Sequence, residues 1–335
     1  MSDCLYKDRV SVKYTYLGPA GTFCEQALLT LPGPAAEPEH NRIPATNVDA
    51  ALQLVRTGEV DAAVVPIENS VEGGVSATLD AIAAGDSLHI VAEAVIPVTF
   101  QLAALPEINA LDQIRTISTH GHAWAQCRQW AQNAIPEVNF LPASSTAAGA
   151  LGLLEDNPAY QAAICSPLVA QRHNLNVLAE GIEDNQGAVT RFVMVQKPGR
   201  IPGPTGSDKS TIVVELTHDR PGGLREILDH FATRGVNLTR IESRPTGLGL
   251  GQYFFSIDLE GHISEPRVVE VLHGLHRIST YIRFLGSYPS ATPIVVNVPP
   301  HATPEAYQAA DAWLNDILTS GNQADATQTD GNQAR

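Results

Sequence analysis

The sequence predicts a two-part α/β protein: a bilobed α/β domain followed by a smaller domain with ferredoxin-like βαββαβ order. Three observations carry this reading. Up to residue 196, short apolar runs suited to strands alternate with helix-periodic segments, the pattern of a mostly parallel α/β sheet. Residues 197–209 (KPGRIPGPTGSDK) are rich in Pro and Gly and read as a linker. Beyond it, residues 210–290 run strand, helix, strand, strand, helix, strand.

The elements follow in order. VKYTYL (12–17) is a strand, and Gly18-Pro19-Ala20-Gly21 turns it into a helix whose Thr22 and Glu25 fit a capping box. Such a joint offers an anion free backbone N–H groups at Ala20, Gly21 and Thr22, although a plain tight turn has the same pattern. NVDAALQLVRT (47–57) has helical periodicity and stops at Gly58. DAAVVPIENS then leads a strand into a turn displaying Glu68, Asn69 and Ser70, before a helix in VEGGVSATLDAIA. HIVAEAVIPVTFQLAAL (89–105) reads as long extended structure. Two further strand–turn–helix joints display Ser118, Thr119 and His120, and then Ser144, Ser145 and Thr146. NVLAEGI (176–182) and GAVTRFVMV (187–195) are strands.

In open α/β sheets ligands sit beyond the carboxyl ends of strands, where these polar turns lie. Each turn equally fits a plain helix cap. The stretch 89–105 leaves one half and NVLAEGI returns to it. Two lobes are expected, with a cleft between them: lobe 1 at about 12–95 and 177–196, lobe 2 at about 96–176. Residues 1–11 form an extension. In the second domain, STIVVELTH is a strand, Pro221 opens a helix stopped by Gly235, a hairpin turns at 246–249, and EPRVVEVLHGLHRIS is a helix. Residues 291–335 are a C-terminal extension, with a helix over 303–318 and a disordered tail from about 319.

The formal charge is −15, which argues against nucleic acid and anionic membrane as partners. No apolar run is long enough to span a membrane, and the N-terminus has no signal-peptide core. A cytoplasmic location is expected, with Cys4, Cys24, Cys127 and Cys165 as reduced thiols. No nucleotide loop or metal spacing is present, and His120-x-His122 supplies too few ligands for a metal. No cofactor is expected. An anionic ligand would need local positive potential against the global charge, from helix N-termini and from the planar fork of Arg191.

Taken together, YLGPAGTFCEQAL, DAAVVPIENSVEGG, STHGHAWAQC, SSTAAGA, IEDNQGAVTRFVMV and GGLREILDHFATRGVNLTRIESRP resemble the prephenate dehydratase family over residues 13–290. The resemblance implies a catalytic domain like a type 2 periplasmic binding protein, with its site in the interlobe cleft, over residues 12–196. It also implies an ACT regulatory domain over 210–290 that binds phenylalanine, and a homodimer or homotetramer. The chain is similar to the monofunctional members, since no chorismate mutase segment precedes Val12.

The implied reaction turns prephenate into phenylpyruvate with loss of CO2 and water. The resemblance ties Thr190 to departure of the ring hydroxyl and places Gln126 in the cleft. A threonine hydroxyl is a poor acid, so Thr190 is read as a positioned donor, relayed from Glu68 or His120. Arg191 is expected to grip the pyruvyl carboxylate, and Phe192 to help wall out water. Asn69, Ser70, Thr119, Ser144, Ser145 and Thr146 complete the expected site. For phenylalanine, the resemblance implies a loop of Gly222, Gly223 and Leu224 facing a neighbour's strand of Asn237, Leu238, Glu242, Ser243, Arg244 and Pro245. Glu242 and Arg244 equally fit a plain ion pair. Two rival functions fit the pattern: arogenate dehydratase, and a non-catalytic amino-acid sensor.

Overall fold

A computed structural model describes residues 11–216, 220–247, 249, 252–293 and 297–330. The N-terminal extension up to residue 10, Leu248 of the hairpin turn and the last residues of the tail lie outside these. The chain divides into two compact units, Met1–Ile201 and Pro202–Arg335.

The first unit opens with β1 (Tyr14–Leu17), α1 (Phe23–Thr30), α2 (Pro32–Ala36), β2 (Arg42–Ala45) and α3 (Val48–Thr57). It continues through β3 (Ala62–Asn69), β4 (Gly73–Gly74), α4 (Ser76–Ala83), β5 (His89–Pro97) and β6 (Gln101–Ala104). Then come β7 (Thr116–Thr119), α5 (Gly121–Ala134), β8 (Asn139–Pro142), α6 (Thr146–Leu151) and β9 (Ala162–Cys165). The unit closes with α7 (Pro167–Arg172), β10 (Asn176–Glu180) and β11 (Val189–Gln196).

Local chemistry explains the helix starts. Thr22, Asn47, Ser145 and Ser166 each accept a hydrogen bond from a first-turn N–H of their helix. Gly58 ends α3 in the left-handed conformation, φ 83°. On α3, Val48, Ala51, Leu52 and Val55 recur at helical spacing and are all buried.

Two sheets make two lobes. Lobe 1 has the order β2-β1-β3-β11-β5, with β4 against β3, and lobe 2 has β10-β6-β9-β7-β8. The bilobed α/β architecture is as the sequence predicts, with two corrections. Both sheets are mixed rather than mostly parallel: β11 runs antiparallel to β3 and β5, and β6 antiparallel to β9 and β10. These antiparallel strands are the ones by which the chain crosses between lobes. Second, Asn176–Glu180 pairs with β6, so it belongs to lobe 2; β11 is the returning strand. Both segments are apolar and extended, and only pairing distinguishes them. The lobe 2 sheet is covered on both faces. Leu102, Ala104, Ile117 and Ile164 pack on one side, and Ala103, Ala163 and Cys165 on the other. Lobe 1 packs α1 through Cys24, Ala27 and Leu28 against Tyr16, Val64, Ile96 and Phe192.

The second unit comprises β12 (Asp208–Leu216), α8 (Gly223–Ala232), β13 (Leu238–Pro245), β14 (Tyr253–Glu260), α9 (Pro266–Ile278), β15 (Ser279–Pro289) and α10 (Pro304–Asp330). Its sheet order β13-β14-β12-β15 is that of a ferredoxin-like fold. Ile212, Val214, Ile257 and Leu259 of the sheet pack on Ile227 and Phe231 of α8 and Val268, Val271 and Leu275 of α9. The last helix runs on to Asp330, past the end expected near 318. Its Ala and Gln residues carry small helical penalties, so a lack of apolar residues is not itself a stop. Among the described residues, no helix is long and apolar enough to cross a membrane.

Candidate active site

The two lobes enclose a cleft of about 350 Å³. Strand ends and helix starts line it. Leu17, Thr22 and Phe23 come from the β1–α1 joint, Pro66 and Asn69 from β3, His120 and Gln126 from the start of α5, and Ser144, Ser145 and Thr146 from the start of α6. Thr190 and Phe192 of β11 complete the lobe 1 wall. Apolar contacts cross between the lobes: the Phe23 and Phe100 rings meet edge to face at 5.6 Å.

A strand alternates its faces, and this decides which residues of Thr190-Arg191-Phe192 reach the cleft. Thr190 and Phe192 face it, so Arg191 faces away. The Arg191 guanidinium is buried behind the sheet, where Nε donates to Glu93 at 2.5 Å and Nη1 to Glu68 at 3.4 Å. Arg191 and Glu68 are therefore not cleft residues in this structure, which corrects the expectation for both. The same counting puts Pro66 and Asn69, three residues apart, on opposite faces of a regular strand. A bulge restores them to one face: Thr190 pairs with Asn69 and Arg191 with Glu68, but Phe192 pairs with Pro66.

The Thr190 hydroxyl accepts a hydrogen bond from Asn69 Nδ2 at 2.9 Å. The Asn69 amide is held the right way round, because its Oδ1 accepts from the Val71 and Glu72 N–H groups at 2.8 and 3.2 Å. With one lone pair occupied by Asn69, Thr190 keeps its own O–H to donate into the cleft. His120 caps α5, its Nδ1 accepting from the His122 N–H at 3.3 Å. Burial, reinforced by neighbouring His122 and opposed by Glu72, holds His120 below the usual imidazole range. It is neutral at pH 7, with its proton on Nε2. The N-termini of α1, α5 and α6 open on the cleft and give it positive potential.

Other expected residues do structural work. Ser70 is not at a helix start, since α4 begins at Ser76; its Oγ accepts from the Val189 N–H at 3.0 Å and pins the start of β11. Thr119 is fully buried and donates to the Ile164 carbonyl at 2.7 Å. Ala20 lies in the turn outside the cleft lining. Gly21 donates its N–H to Glu25 at 2.6 Å and its carbonyl accepts from Ser166 at 2.6 Å, so it is spent on holding the lobes together. Glu25 thus reaches past the helix cap, and it also takes both Arg172 Nη groups at 2.8 Å from lobe 2. Gly21 has φ +90°, and a Cβ there would lie 2.7 Å from Val169 Cβ. Gly21→Ala is expected to cost about 1–3 kcal/mol, read as a lower urea midpoint.

Glu72 and His122 line the cleft and were not among the expected site residues. Glu72 stands three residues beyond Asn69 in the same turn, which is the only signal the sequence offers. Cys24 also faces the cleft; burial pushes its thiol up to about 12, and it donates to the Val64 carbonyl. Cys127 and Cys165 are likewise buried and unbridged.

In the second unit, Gly222 caps α8 with φ 86°, and Leu224 is exposed beside it. Gly223 opens the helix; a Cβ there would meet Leu216 at 2.7 Å, so the second glycine serves close packing. Leu238, Glu242, Ser243, Arg244 and Pro245 lie on the edge strand β13, and Asn237 just before it bonds Glu260 at 2.9 Å.

Residues 14–200 match the prephenate dehydratase family model, and residues 210–277 match that of the ACT domain. The chain belongs to the prephenate dehydratase family. A prephenate dehydratase of Amycolatopsis methanolica is 40% identical over 313 residues, covering 93% of this chain and 99% of its own. The crystal structure of a prephenate dehydratase in complex with L-Phe from Arthrobacter aurescens is 58% identical, with a TM-score of 0.86, covering 92% of this chain and 100% of that one. A structure described as a novel type of quorum quenching acylase, GqqA, is 28% identical with a TM-score of 0.71, covering 83% and 97%. The prephenate dehydratase match spans the whole of the bilobed unit from β1, and with it every cleft residue described above.

Proposed function

We propose that the chain is a decarboxylating carbon–oxygen lyase that converts prephenate to phenylpyruvate. The observation that carries this reading is the Thr190 hydroxyl, which lines a largely apolar cleft and accepts from Asn69, so that its own O–H remains to be donated to a ligand. Prephenate becomes aromatic when its ring carboxylate leaves as CO2 and its ring hydroxyl leaves with a proton. The electron pair of the broken C–C bond enters the ring as the C–O bond breaks. Thr190 stabilises the departing oxygen by hydrogen bonding, and neutral His120 offers a second N–H donor. Phe23, Phe100 and Phe192 limit water around the carboxylate that must be lost, which favours its release as CO2. The helix N-termini hold the substrate's negative charge without a tight ion pair on that group.

An acyl-transfer reading fits less well. A hydroxyl nucleophile needs a base beside it. Thr190 has instead the donating amide of Asn69, and the Cys24 thiol is pushed up to about 12 by burial.

Phenylalanine is proposed as the allosteric effector, acting through the second unit around Gly222–Leu224 and β13. The ACT match and the L-Phe complex of the 58% identical structure support this. The chain is further proposed to be a cytoplasmic homodimer or homotetramer, which light scattering on the purified protein tests. The function is tested by following phenylpyruvate formation from prephenate, with arogenate as the rival substrate, with and without phenylalanine. Turnover of prephenate that falls as phenylalanine is added is the expected result. By linkage, prephenate should weaken phenylalanine binding by the factor that phenylalanine weakens prephenate binding. Preference for arogenate would replace the substrate, and turnover of neither would favour the sensor.

A further inference from the structure

We propose that Glu72 and His122 form a clasp that draws the two lobes together over the cleft, and that Glu72 is thereby a positioning residue for the Thr190 hydroxyl. The kinetic half of this proposal rests on the prephenate reading; the clasp itself does not. Glu72 lies in the turn between β3 and β4 of lobe 1, and His122 in the first turn of α5 in lobe 2. Glu72 Oε1 and His122 Nδ1 are 2.6 Å apart, across the cleft that both residues line. His120 meets His122 from the α5 side, their rings stacked at 5.1 Å.

The contact is continuous with the reacting end of the cleft. The Glu72 N–H donates to Asn69 Oδ1, and Asn69 Nδ2 donates to Thr190. On the other side, the His122 N–H donates to His120 Nδ1. One chain of contacts therefore runs from Thr190 in lobe 1 to His120 in lobe 2. Tension on Glu72 from lobe 2 holds the 70–73 turn where the Asn69 amide must face Thr190.

Two interlobe polar contacts divide the labour. Glu25–Arg172 is double and has its carboxylate buried, the character of a permanent joint. Glu72–His122 is single and exposed, with side chains 45% and 64% accessible. Exposed pairs are weak and exchange readily with water. That suits a contact which must break to admit substrate and re-form on each turnover.

Amide exchange measured by NMR tests the clasp, and steady-state kinetics test its purpose. In His122→Gln, a change confined to lobe 2, the Val71 and Glu72 amides of lobe 1 should exchange about tenfold faster. Glu72→Gln should do the same. Unchanged exchange in both variants overturns the clasp. With prephenate, Glu72→Gln should lower kcat roughly tenfold in the wild-type background and by less than about twofold in Thr190→Ala, because its effect passes through that hydroxyl. Equal losses in the two backgrounds overturn the positioning role. A wild-type protein inactive on prephenate would sink the proposed function, and the exchange comparison would still decide the clasp.

Discussion

Thr190→Ala should lower kcat for phenylpyruvate formation by roughly two to three orders of magnitude while KM changes by less than about threefold. The reasoning is differential. The hydroxyl donates to an oxygen whose negative charge grows only as the C–O bond breaks, so its loss is felt in the transition state far more than in the bound substrate. On the proposed reading the substrate's negative charge is held by other groups, at the helix starts of α1, α5 and α6. Thr190→Ser keeps the donor and should recover most of the rate, though without the methyl the serine hydroxyl is freer to turn from Asn69. Steady-state kinetics on the two variants check this. A Thr190→Ala enzyme with wild-type kcat would remove the hydroxyl from the mechanism and leave His120 as the donor.

The second large effect is on stability. Arg172→Ala should destabilise the first unit by about 3–5 kcal/mol, because it strands the buried Glu25 carboxylate. The effect should depend on pH. Burial, the largest influence on Glu25, disfavours its charged form, but the Arg172 hydrogen bonds, the Gly21 N–H and the charges of Arg172 and Arg42 more than offset it. The folded carboxyl thus titrates below the usual glutamate range. Its stabilisation is present above the unfolded value and is lost as pH falls through the lower folded one. Thermal unfolding should show a wide gap in Tm between wild type and Arg172→Ala at pH 7 that closes on acidification below about pH 4. A gap that stays constant would show that packing of the arginine stem, rather than its charge, was lost.

Much of the fold is legible because local signals agree with one another. Thr22, Ser145 and Gly58 cap the helices the sequence places there, and the Pro- and Gly-rich segment ahead of Asp208 separates the two units. Pairing partners are not local, and that is why β10 lies in the lobe opposite to the one its sequence suggests. The site divides in the same way. Asn69, His120, Gln126, Ser145 and Thr190 line the cleft. Arg191 does not, and the alternation of a strand held the reason: neighbours on β11 cannot both face one cleft. The bulge at β3 that returns Pro66 and Asn69 to a common face leaves no local mark. Ser70 and Thr119 look like ligands because hydroxyls at turns suit ligands and backbone carbonyls equally well. Only the folded chain decides which one each takes.

The source of positive potential in the cleft has a consequence for how an anion arrives. Arg191 is spent behind the sheet on Glu93 and Glu68, and the attraction on offer comes from peptide dipoles at the starts of three helices. The field of a dipole fades more steeply with distance than that of a full charge. A dianion approaching a chain of net charge −15 therefore meets repulsion first, and is drawn in only at the cleft mouth. Such a site has a short capture radius: dissolved salt hastens encounter by screening the outer repulsion, yet scarcely weakens the grip once water has been shut out.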